Sequence, residues 1–298
     1  MADRRKKSAS PDRKTLERTR ALNSAPRNSR GRRKKKRKSD FLLTFILVIA
    51  IGVFLFAAYN LYHIYTEYKK GSDEYNAIAQ MVVTERTPDG EREAQTPNTQ
   101  TEPSVAVPMS IDFAALKQVN DDVIGWIYIE ALDGISYPIV RGIDNSYYLH
   151  MTYQKNYNFA GTIFADYENS DDFNDCNTIV YGHNMKNGSM FGQLRRFSTN
   201  ADAYNKSKYF WIFTPDKDYR YEIISAYVTG VTSDTYTLFK GPGEEFVEYM
   251  KKIVERSEIL TTPGELTVQD HIVTLSTCTG DDTTRYVVQG KRVDVVRK

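Results

Sequence analysis

The stretch VTLSTCTGDDTTRYVV, Val273 to Val288, decides how the rest of the chain is read. An apolar strand runs into Cys278, a short polar loop follows, and Arg285 opens a second β-rich run. That loop is short enough to join antiparallel neighbours, so Cys278 and Arg285 fall at facing strand ends. Side chains alternate across a strand, which puts Ile272, Thr274, Ser276 and Cys278 on one face. Upstream, TIVYGHNM carries another apolar strand, Asn177 to Tyr181, with His183 just beyond its end.

A thiol, an imidazole and a guanidinium at strand ends have complementary chemistry. The thiolate is the nucleophile, and a free thiol with pKa about 8.5 is mostly protonated at neutral pH. A nearby histidine holds it as an ion pair or takes its proton. An attacked amide carbonyl becomes an oxyanion, which needs donors already in place. Arginine stays charged and carries several donors in a fixed fork. Taken singly, each residue has an ordinary reading. Cys278 alone reads as a small buried side chain, His183 as a turn residue bonding a carbonyl, and Arg285 as a surface charge. The set of three carries the argument. Of the other imidazoles, His271 starts the strand of Cys278 and lies roughly 20 Å away along it, out of reach; His150 stays open. The histidines are scattered and show no metal-ligand spacing.

Working outward, the region is mostly short β-type runs between turn signals. Strands are predicted over 125–129, 135–140, 161–165, 177–181, 208–214, 219–229, 271–277 and 285–296. Eight strands in one domain predict a mainly β fold, a closed barrel or a sandwich, with inserted helices. Two helices are predicted inside it, over 190–197 and 244–257. In the second, Phe246, Tyr249, Met250 and Ile253 make one apolar face. Ser110 reads as the N-cap of SIDFAALKQVN, which places the start of the folded domain, 110–298, near that residue. The preceding TERTPDGEREAQTPNTQTEPSVAVP, Thr84 to Pro108, has no apolar period and reads as a linker. With the helical-looking residues before it, it makes a stalk and extracellular linker over 63–109.

Phe41 to Ala58 is 18 residues without a charge, and the uncharged run continues through Tyr62. A bilayer-crossing helix needs about 20 apolar residues, so 41–62 reads as a transmembrane signal anchor. Tyr59, Tyr62 and Tyr65 follow at helical spacing, as an aromatic interface belt requires. Residues 1–40 hold seventeen Lys and Arg against four acids, a net of +13, while the whole chain is +2. A basic cytoplasmic tail, 1–40, on an acidic body argues against a nucleic-acid-binding domain. Its cluster RRKKKRK, Arg32 to Lys38, instead predicts a cytoplasmic N-terminus with 66–298 outside. The tail is far too long for the n-region of a cleaved signal peptide. The two cysteines, Cys176 and Cys278, are expected to be free, because the domain is large enough to fold without a staple.

TLSTC (Thr274–Cys278), the downstream Arg285 and the upstream YGHN (Tyr181–Asn184) together resemble the sortases. Ser276 two places before the cysteine, the long helix before the cysteine strand, and NSYYLH followed by AGTIFADYENS (Ala160–Ser170) resemble class B most closely. The resemblance covers about residues 110–298 and implies an eight-stranded sortase-type β-barrel behind one N-terminal transmembrane helix. It implies that Cys278, His183 and Arg285 are catalytic, and that Ser276, Thr277, Leu149 and Tyr181 contact substrate. The implied reaction is cleavage of a C-terminal sorting motif of secreted proteins at a threonine carbonyl. Transfer through a thioacyl-enzyme to an amine of a peptidoglycan precursor follows, with no metal or other cofactor. The arginine follows the cysteine by seven positions, slightly closer than in several class B members, and Thr279 stands where an acid is sometimes found. Both bear on loop shape and substrate preference. A pilin-polymerising sortase is a second reading, and a membrane-anchored barrel that only binds, with Cys278 inert, is a third.

Overall fold

The computed structural model describes residues 38–86 and 105–298. The basic tail and most of the Thr84–Pro108 linker lie outside the described residues. In chain order the elements are α1 (Lys38–Val82), β1 (Val83–Glu85), β2 (Met109–Ile111), α2 (Phe113–Val119), β3 (Val123–Ile129), β4 (Ser136–Val140), β5 (Ile163–Ala165) and β6 (Asn177–Tyr181). Then follow α3 (Arg196–Thr199), α4 (Ala201–Lys206), β7 (Tyr209–Phe213), β8 (Lys217–Gly230), α5 (Glu244–Glu255), β9 (Ile272–Cys278) and β10 (Thr284–Arg297). The chain divides into two compact units, Met1–Tyr59 and Asn60–Lys298.

In the first unit, α1 presents Phe41, Leu47 and Phe54 and their apolar neighbours exposed. Among the described residues α1 is the one helix long and apolar enough to cross a membrane.

The second unit is built on a closed barrel of eight strands in the order β10-β8-β7-β3-β4-β5-β6-β9. Neighbours are antiparallel except β4 with β5 and β6 with β9, which are parallel. Closure leaves the barrel no unpaired edge. Alternation sorts each strand between two cores. Val273 and Leu275 of β9 enter the main core with Trp126, Phe164 and Phe213, while Ile272 faces a second cluster built on α5. Phe246, Met250 and Ile253 of α5 are fully buried there against Ile224, Tyr227 and Val287. Burying each such side chain is worth about 1.5–3 kcal/mol, which holds α5 on the barrel wall.

Three expectations are corrected. The segment 63–109 is not all stalk and linker, because Tyr75, Ile78 and Val82 of α1 are buried in the main core. In addition, β1 pairs with β2 through Val83 and Ile111, so the packed domain starts well before Ser110. Ser110 sits inside β2 and is no N-cap. Asp112 caps α2 by accepting from the Ala115 N–H at 2.9 Å. The helix predicted over 190–197 is a series of turns ending in the short α3. Met190 takes φ +51, and Gly192 has the Met185 carbonyl packed where a Cβ would stand, so the backbone turns instead of coiling.

Candidate active site

Three neighbouring strands end at one place. β6 and β9 run side by side with Tyr181 opposite Ser276, and the Gly182 N–H donates to the Ser276 carbonyl at 3.1 Å. His183 therefore leaves β6 beside the end of β9. On the other flank β10 pairs with β9 so that Arg285 lies directly opposite Cys278. The cleft at these ends has a volume of about 270 Å³ and is lined by Cys278, His183 and Arg285 together. Ser276, Thr277, Leu149 and Tyr181 form its walls, with Asn145, Phe164 and Gly182 completing them.

His183 is held from behind. Its Nε2 lies 2.7 Å from the Leu149 carbonyl. A carbonyl only accepts, so Nε2 carries the proton and Nδ1 is the nitrogen left to exchange one. The His150 ring stacks on it at 5.7 Å between centroids. Burial pushes the His183 imidazole below its ordinary value and the neighbouring His150 adds to this, while the Leu149 carbonyl opposes it. Gly182 is required where it stands, since a Cβ would overlap the Ile163 side chain and the Phe191 ring.

Cys278 is half-buried and a free thiol; Cys176 is free and buried. The Cys176 carbonyl accepts from Ile272 N–H at the opposite end of β9. Seven residues of strand put the two cysteines about 20 Å apart, beyond any disulfide. Burial, and then the Asp175 charge, pushes the Cys176 thiol up. Beside Cys278, the Asn184 amide donates to its carbonyl at 2.7 Å and ties the His183 turn to the cysteine backbone. Arg285 Nη1 donates to the Asp282 and Thr284 carbonyls at 3.0 and 2.9 Å. Those two bonds fix the guanidinium against its own loop and leave Nε and Nη2 to meet an oxygen in the cleft.

The walls are tied to a second layer. Tyr181 donates to Asp166 at 2.9 Å, and Asp166 also accepts from the Asn145 amide at 2.8 Å. The Ser276 hydroxyl lies 2.8 Å from the Tyr236 hydroxyl, whose ring stacks on Tyr181. Thr277 is buried, and its hydroxyl oxygen has no hydrogen-bond partner among the described residues. Leu149 contributes its side chain to the wall and its carbonyl to His183. Sequence reasoning gave no role to Asn184, Asp166, Asn145 or Tyr236, and left His150 open as a rival imidazole. Asn184 sits in the YGHN motif and was recoverable there. Tyr236 is 40 residues from Ser276 and left no local signal. Among the described residues no group of three or more His, Cys, Asp or Glu is placed to hold a metal.

The Sortase domain family model matches residues 127–293. Sortase B of Listeria monocytogenes is 33% identical over 260 residues, covering 85% of this chain and 98% of that protein. The crystal structure of sortase B from Bacillus anthracis in complex with AAEK1 superposes with a TM-score of 0.61 at 32% identity. It covers 77% of this chain and 99% of that one. Clostridium perfringens sortase B gives a TM-score of 0.55 at 34% identity, over 61% of this chain and all of that one. A closed barrel with a cysteine, a histidine and an arginine at adjoining strand ends is the framework of a cysteine transpeptidase. The chain belongs to the sortase family, in class B. Membership sets aside the reading of a barrel that only binds.

Proposed function

We propose that this sortase cleaves a C-terminal sorting motif of secreted proteins and joins them to a cell-wall amine, with Cys278 as nucleophile. The observation that supports this most is the convergence of Cys278, His183 and Arg285 in one cleft from three adjacent strands. Cys278 passes its thiol proton to His183 Nδ1 as Sγ adds to the carbonyl carbon of a threonine in the motif, and the oxygen becomes an oxyanion. Arg285, through Nε and Nη2, donates to that oxygen. His183 gives a proton to the leaving amine as the C–N bond breaks, and a thioacyl-enzyme remains. The amine of a peptidoglycan precursor then attacks, His183 takes its proton, and the thiolate departs. Leu149, Tyr181, Ser276 and Thr277 form the walls around the motif. The apolar half of α1 spans the membrane, with the basic tail cytoplasmic and residues 66–298 outside.

The test is capture of the thioacyl-enzyme. Incubation with a panel of sorting-motif peptides should add the peptide mass to Cys278, and hydroxylamine should release it as the hydroxamate. Cys278→Ala should lose both and Cys176→Ala neither. Transfer by Cys278→Ala would refute the assignment. For the topology, protease added to protoplasts should remove the domain, and protection would refute it.

A further inference from the structure

We propose that Tyr75, on α1, is a positioning residue for His183: its hydroxyl pins the loop whose Leu149 carbonyl holds the imidazole. The inference rests on the proton-shuttle role given to His183 above.

Tyr75 is buried, and its phenol donates to the Gly161 carbonyl at 2.6 Å and lies 3.0 Å from the Thr162 hydroxyl. Gly161 has φ +56 and packs so tightly on the Leu149 peptide that a Cβ would overlap the Leu149 carbonyl oxygen. Thr162 N–H donates to the Tyr148 carbonyl at 3.0 Å. Gly161 and Thr162 thus form the backing of the peptide group whose oxygen meets His183 Nε2 at 2.7 Å. A second line runs through the ring. Tyr75 packs edge-on against Tyr137 at 5.4 Å, the Tyr137 hydroxyl accepts from Met190 N–H at 3.2 Å, and Phe191 N–H donates to the His183 carbonyl. One side chain of α1 therefore supports both sides of the histidine, the carbonyl behind its ring and the turn that follows it. The same loop is held to α1 elsewhere, by Asn158 on the Glu67 carbonyl at 3.2 Å and by Gln154 N–H on Glu74 at 3.3 Å. This is a reason, beyond tethering, for the helix to be packed on the barrel.

A displaced catalytic group costs rate more than binding, because the barrier depends steeply on alignment. The experiment compares Tyr75→Phe with wild type in the full chain in detergent, using a sorting-motif peptide that the wild type cleaves. Tyr75→Phe keeps the ring and removes only the hydroxyl. It should lower kcat about tenfold with KM within about twofold, and shift the NMR signals of the His183 ring. Tyr219→Phe, which removes another buried hydroxyl bonded to the Asp172 carbonyl at 3.1 Å, should lower thermal stability while leaving kcat and His183 unchanged. A kcat within about twofold of wild type for Tyr75→Phe, or unchanged His183 signals beside a fallen kcat, overturns the proposal. If Tyr75→Phe does not fold, Thr162→Ala is read in its place: the same His183 shift with a smaller fall in kcat supports the proposal, and no change in either overturns it. His183→Ala separates the two readings. Activity retained by His183→Ala defeats the shuttle role itself, whereas its loss beside a normal Tyr75→Phe defeats only the role of Tyr75.

Discussion

Arg285 separates charge from geometry. Its guanidinium is fixed by two loop carbonyls through one nitrogen and offers the rest of its fork to the cleft. Arg285→Lys keeps the charge but not the fork, so peptide cleavage should fall almost as far as in Arg285→Ala, by about 10²- to 10³-fold. Alkylation of Cys278 by a small reagent should stay near the wild-type rate in both. Equal loss of alkylation would mean that the arginine serves thiol ionisation. In the proposed mechanism His183 sets the acid side of the pH profile. Its imidazole is held below the ordinary value of about 6.5 by burial, with His150 adding to the effect. The neutral ring should persist below that pH, and the acid limb of kcat/KM should lie under about 6.5. His150→Phe keeps a flat ring without the like charge, and should move the limb upward; an unmoved limb would show that His150 has no electrostatic part. The motif TLSTC with its downstream arginine made Cys278 and Arg285 legible, because their pairing is local and one strand register fixes it. Asp166 and Tyr236 were not legible, since each earns its place only through a partner brought in by the closed sheet.

At the scale of elements, the eight barrel strands were readable to within two residues at each end, because alternation and turn residues mark them. The helix predicted over 190–197 failed because its apolar spacing serves a turn folded around Met190, and spacing alone cannot report a left-handed residue. The β6–His183 junction depends on a missing side chain. Gly182 sits where a Cβ would overlap Ile163 and Phe191. Gly182→Ala should therefore cost about 1–3 kcal/mol by overpacking, and should move His183 as the turn yields. Cleavage should drop by tenfold or more, on the order expected for a misplaced catalytic group. Thermal melting and kcat measured together check this. A fall in stability with unchanged kcat would show that the junction absorbs the methyl without displacing the histidine.

At the scale of the whole molecule, two half-buried imidazoles couple stability to acid. Burial lowers both His183 and His271, the latter opposed by the Asp175 carbonyl. The unfolded chain, with ordinary imidazoles, then binds more protons than the folded one below about pH 6.5. Stability is fully present above that pH and is lost as pH falls through the folded values. The melting temperature of the domain should be level from pH 8 to about 7 and decline below about 6.5, and His271→Gln should soften the decline. An equal decline in that variant would place the acid sensitivity elsewhere. The domain start near Ser110 was misplaced because β1 and the buried face of α1 are short, and their partners are visible only in the folded barrel.

The pairing of β6 with β9 joins residues some 95 positions apart, Asn177 with Ile272 and Tyr181 with Ser276. Such contacts are intrinsically slow to form, since the loop-closure entropy must be met before they do. The last two strands are also the ones that bring the thiol and the guanidinium. A chain lacking them has its imidazole but no thiol or guanidinium beside it. The three side chains of the cleft thus come together only when the barrel has closed.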